Sequence, residues 1–68
     1  MKFMVEIDRE NDGRWIADVM ELPGSMCYGK TPEEAKLRVQ ALALRVIADR
    51  IENGEVGQDL ITISFEAA

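Results

Sequence analysis

The chain contains no histidine, one cysteine (Cys27) and two prolines among 68 residues. Without an imidazole there is no side chain that ordinarily titrates near neutral pH, so the usual proton shuttle is missing. A lone cysteine excludes an intrachain disulfide, and with no histidine beside it Cys27 reads as a small packing residue. The same shortage argues against a metal site, and no cofactor motif occurs. The glycines at 13, 24, 29, 54 and 57 read as turn or cap positions, not as a phosphate-binding loop. No run of 18 apolar residues is present, and the opening Met1-Lys2-Phe3-Met4-Val5-Glu6 is not a signal peptide. The expectation is a cytoplasmic protein, not a membrane protein and not an enzyme.

Basic residues are also scarce. Eight Lys and Arg stand against thirteen Asp and Glu, a net charge of −5. The basic residues are scattered, whereas nucleic-acid binders gather them into a patch that neutralises phosphates. Direct nucleic-acid binding is not expected. An acidic small domain suits a basic protein partner better.

What the sequence does have is one long helix signal. Thr31 is a good N-cap, Pro32 fits the first helical position, and Glu34 is placed to reach back to the cap N–H. Asn53-Gly54 is the stop signal. Between them run about six turns, roughly 33 Å. Ala35, Val39, Leu42, Ala43 and Val46 fall on one side of this helix. Leu37, Ala41, Leu44, Ala48 and Ile51 fall on the other, spaced 4-3-4-3. A helix docked on one sheet needs one apolar stripe, and this helix has two. The second stripe is expected to be a homo-oligomer interface, of a dimer or tetramer. A single small core supplies little net stability, and oligomerisation is a common remedy.

The flanking segments alternate. Lys2 to Asp8 puts Phe3, Val5 and Ile7 on one face, with Lys2, Met4, Glu6 and Asp8 on the other. Asn11-Asp12-Gly13 is a turn signal, and Trp15 to Met20 is the return strand. Trp15, Ala17 and Val19 share one of its faces; Ile16, Asp18 and Met20 share the other. Asp8 and Asp18 are placed where they could face one another, which would matter only with a bridging metal. Leu22-Pro23-Gly24 fits a type II turn. Ser25 to Gly29 reads as a short third strand, Glu55 to Asp59 as a polar connection, and Leu60 to Phe65 as a fourth strand. The result is one α+β domain over residues 1–68 with element order β-β-β-α-β. A three-strand meander followed by a right-handed helical crossover predicts a spatial order 3-2-1-4. The single helix covers one face of that sheet and leaves the other open.

Several of these motifs occur together in one order: Asp12-Gly13, Trp15-Ile16-Ala17, Glu21-Leu22-Pro23-Gly24, Gly29, then Thr31-Pro32-Glu33-Glu34-Ala35. Over roughly residues 3 to 65 this arrangement resembles the HicB-type antitoxins of bacterial type II toxin–antitoxin pairs. The resemblance implies a truncated ribonuclease-H-like fold without nuclease activity. Of the acids that would hold two metal ions, Glu6 or Asp8 stands for the first-strand acid, Glu34 for the helix acid, and the fourth strand offers only Glu66. It further implies a partner, a small basic RNA-cleaving toxin (HicA-like) that the domain binds and masks. Many family members carry a C-terminal DNA-binding module; none follows in these 68 residues, so DNA-binding autoregulation is not expected of this chain.

Charge suggests which surface meets such a toxin. The second helix stripe is bordered by Lys36, Arg38, Arg45 and Arg50, a poor match for a basic partner. The open sheet face and hairpin carry Glu6, Asp8, Asp12 and Asp18 beside Met4, Ile16 and Met20, with Glu10 and Glu21 nearby. The expected toxin site is therefore Met4, Glu6, Asp8, Asp12, Ile16, Asp18 and Met20. The expected oligomer seam is Leu37, Ala41, Leu44, Ala48 and Ile51. The alternative is an orphan oligomeric module that takes a small-molecule or regulatory ligand and has no toxin.

Overall fold

The computed structural model describes residues 1–57 and 61–68. Its elements are β1 (Lys2–Arg9), β2 (Trp15–Val19), β3 (Met26–Gly29), α1 (Pro32–Glu52) and β4 (Ser64–Ala67). They form a mixed four-stranded sheet in the order β3-β2-β1-β4, with β1 antiparallel to β2 and parallel to β4. Fold class and strand order are those expected from the sequence.

The turns explain the register. Gly13 takes φ +91°, its N–H donates to the Glu10 carbonyl, and the Glu10 N–H donates to the Arg14 carbonyl. This is a three-residue loop closed by a left-handed glycine, and it sets Val5 opposite Val19 and Glu6 opposite Asp18. Pro23-Gly24 makes the expected type II turn, with Gly24 at φ +85° and the Ser25 N–H donating to the Leu22 carbonyl.

Both helix ends match their signals. The Thr31 hydroxyl accepts from the Glu34 N–H at 3.0 Å. The Glu34 carboxylate reaches back one residue further than expected, to the Lys30 N–H at 3.2 Å rather than to the N-cap's own N–H. At the other end the Gly54 N–H donates to Ile51 and the Glu55 N–H to Arg50, a Schellman closure with Gly54 at φ +71°.

The helix lies chiefly over β3 and β2, with less contact to β1. Its buried row is Ala35, Val39, Ala43 and Ile47. The expected stripe therefore needs correction: Leu42 and Val46 are only half-buried, and Ile47 replaces them in the core. An i, i+4 row is inclined to the helix axis, so a helix crossing a sheet obliquely buries that row and not a straight stripe. Phe3, Val5, Ala17, Val19 and Leu22 supply the sheet side of the core.

The fourth strand also differs from expectation. It spans Ser64–Ala67, not Leu60 to Phe65; Ile61 to Ile63 lie outside any strand, and Leu60 and Asp59 fall outside the described residues. Pairing begins at Lys2 opposite Ser64, so Ile61 to Ile63 have no β1 residue beside them. The Met1 ammonium donates to the Thr62 carbonyl at the point where the ladder ends. Phe65 stacks on Phe3 with ring centroids 5.6 Å apart, which fastens β4 to the sheet.

Candidate functional site

The sheet's second face carries no layer of its own chain among the described residues. Alternation puts Met4, Glu6 and Asp8 of β1 there, and pairing adds Ile16 and Asp18 of β2. Met20 continues the row, its N–H donating to the Met4 carbonyl at 3.2 Å, and it stands 53% exposed. Six of the seven residues expected to bind a toxin thus share one surface.

Asp12 is the exception. It lies on the hairpin turn, where Oδ1 accepts from the Arg14 N–H at 3.1 Å and Oδ2 from the Arg14 Nε at 2.6 Å. The backbone hydrogen bond is the main reason its pKa falls below the ordinary 3.8; a slight loss of solvation opposes this, and the guanidinium adds to it. The Arg14 guanidinium also sits 4.2 Å from the Tyr28 ring centroid. Asp12 therefore organises the hairpin and holds its own counter-ion.

Two residues of the face escaped the sequence reading. Met26 is opposite Asp18 and Tyr28 opposite Ile16, so β3 adds a thioether and a phenol to the same surface. Both are exposed, Met26 at 48%. Their alternation with Cys27 was the available signal, but in four residues it is too short to assign a face without the register.

The acids are arranged differently from expectation. Asp18 pairs across the strands with Glu6, whereas Asp8 is opposite Ile16. Two carboxylates directly opposed on neighbouring strands repel each other, a cost folding accepts at this position. Glu6, Asp8, Asp18, Ile16 and Met26 line an open depression of about 410 Å³. Among the described residues, no group of three potential ligands is placed to hold a metal ion.

Glu21, Glu66 and Glu34, also named from the sequence, each have a partner within the chain. The Glu21 carboxylate accepts from the Met4 N–H at 3.0 and 3.2 Å, closing the start of the β1–β2 pair. Glu66 lies on the open face and pairs with Lys2 at 3.3 Å. Glu34 belongs to the helix layer, where Arg38 meets it at 3.2 Å, so the sheet separates it from Glu6 and Asp8.

The expected oligomer residues also share one surface. Leu37, Leu44 and Ile51 are 70%, 45% and 41% exposed, and Ala41 and Ala48 between them are exposed as well. Arg38 donates to the Tyr28 carbonyl at 3.0 Å, tying the helix to the outer edge of β3. No helix among the described residues is long and apolar enough to cross a membrane. Comparison with protein families, with curated proteins and with solved structures finds no match to this chain.

Proposed function

We propose that this domain is an antitoxin-like protein that masks a small, basic, RNA-cleaving toxin of the HicA-like kind, and that it is not itself an enzyme. The reading rests on the resemblance of the turn and cap motifs to HicB-type antitoxins. The observation that carries it is the open sheet face. There Glu6, Asp8 and Asp18 surround Met4, Ile16, Met20 and Met26, in a chain of net charge −5. Exposed apolar anchors ringed by carboxylates are the complement of a cationic protein surface: the anchors supply affinity, and the acids supply steering and register.

Masking at this face requires no chemistry from the domain. A basic toxin binds RNA through its positive surface, and occupying that surface with carboxylates blocks substrate electrostatically and sterically. The Glu6–Asp18 pair suits this role, because a partner cation between them relieves their mutual repulsion.

The test pairs the chain with the product of the adjacent reading frame, a neighbour of about 60–80 residues, basic and containing histidine. Co-expression should rescue growth, and the purified domain should inhibit RNA cleavage. Asp8→Lys combined with Asp18→Lys should weaken binding by at least about a hundredfold, since each reversal replaces an attractive contact with a repulsive one. Neutralisation that survives both reversals in a folded protein rules out this face. The depression of about 410 Å³ supports a second reading, an orphan module for a small cationic ligand, because it falls within the usual size of ligand sites. A genome without a basic neighbour would favour that reading.

A further inference from the structure

The outer side of α1 is the second large surface that the described residues leave bare. The buried row of Ala35, Val39, Ala43 and Ile47 faces the sheet. On the far side Leu37, Leu44 and Ile51 follow one another at intervals of seven residues, about 10.5 Å along the axis. Leu37 is the most exposed large apolar side chain described, at 70%. Ala41 and Ala48 sit between the three and are also exposed.

We propose that this stripe is the seat of a second copy of the chain, packed helix against helix across a two-fold axis. Three properties select that occupant. The first is shape. A straight seam with large residues every seven positions fits another helix, because heptad spacing is what lets two helices stay in contact over several turns. The second is self-complementarity. Leu and Ile side chains alternate with Ala, so one stripe supplies both the knobs and the shallow positions that receive them. Two-fold symmetry then guarantees that each copy presents the matching surface.

The third property is charge. The borders of the stripe carry both signs, Lys36, Arg38, Arg45 and Arg50 together with Glu33 and Glu52, and Arg38 is already paired with Glu34 in its own protomer. A border of mixed sign tolerates its own copy, whereas a patch of one sign selects an opposite partner. The basic members disfavour the cationic protein proposed for the sheet face. A lipid surface is disfavoured too, because interfacial helices carry a polar face rich in Lys and Arg, and here acids are interspersed.

Dimerisation is measured on the chain alone, so its outcome does not depend on the masking role. The natural chain should sediment as a dimer at micromolar concentration. Leu44→Glu, a change at an exposed central position, should leave the circular dichroism spectrum of the fold intact, remove the concentration dependence of its melting temperature and raise the dimer dissociation constant at least about thirtyfold. A second readout does not depend on charge tolerance. In a Cys27→Ala background, Leu44→Cys should form an intermolecular disulfide under mild oxidation, and Asp49→Cys, off the stripe, should not. A natural chain that remains monomeric up to high micromolar concentration overturns the proposal. So does a dimer that persists in Leu44→Glu together with equal cross-linking at 44 and 49. Loss of toxin binding in Leu44→Glu, with the natural chain monomeric, would give the stripe to the toxin instead.

Discussion

Gly29 ends β3 beside the first turn of the helix, and its missing side chain is what allows that approach. A Cβ built there would lie 2.5 Å from the Ala35 nitrogen and 3.0 Å from its Cα. Both are backbone atoms of a capped helix, so neither can move aside cheaply. Gly29→Ala should therefore destabilise the protein by about 2 kcal/mol or more through overpacking. Gly57→Ala, where a Cβ meets nothing within 4 Å, should change stability little. Urea midpoints of the two variants provide the comparison, and equal midpoints would contradict the close approach. In the sequence Gly29 looked like one more turn glycine. Its role comes from a neighbour six residues away that only packing brings beside it.

At the level of elements, the hairpin and the helix were the most legible parts of the chain. Thr31-Pro32 and Asn53-Gly54 bound the helix because capping depends on residues within one turn of each end. Asn11-Asp12-Gly13 makes its turn for a similarly local reason, and Asp12 strengthens it by holding Arg14. That contact has a pH signature. The carboxyl's pKa is lowered in the folded state, so its contribution to stability is present above the ordinary value of 3.8 and is lost as pH falls through the lower folded value. Asp12→Asn should remove this contribution and flatten the acid limb of the stability curve, with little change in its shape near neutrality. Because the group is exposed, salt should reduce the difference between the two curves. Denaturation midpoints followed from pH 7 to pH 2 test this, and parallel curves would show that Asp12 contributes nothing through its charge. The fourth strand was less legible. Its alternation extends over Leu60 to Phe65, but its start is set by where β1 can pair with it, at Lys2.

For the whole molecule, the two proposed surfaces lie on opposite sides of a two-layer body, one on the bare sheet face and one on the outer side of the helix. A dimer joined along the helix would leave both sheet faces open and facing away from each other. The expected complex is therefore two domains with two toxins, and its mass by light scattering should fall to one of each in Leu44→Glu. A complex of one toxin with two domains would show instead that the surfaces interfere. In 68 residues there is little room for a third layer, which is why two faces remain uncovered among the described residues.

By itself the sequence determined the order of the elements, the two ends of the helix, the type II turn at Pro23-Gly24, the strand order and the existence of two apolar helix stripes. These depend on local chemistry, on periodicity and on connection rules that hold over short distances. The tertiary structure decided which helix residues reach the core, since Ile47 takes the place of Leu42 and Val46 only once the helix is laid over β3 and β2. It also decided that Asp18 is opposite Glu6 and not Asp8. A slip of two residues leaves every side chain on its own face, so alternation is the same for both pairings. The three-residue loop at Gly13 and the pairing across the whole sheet choose between them, and with that choice they set the arrangement of acids on the open face.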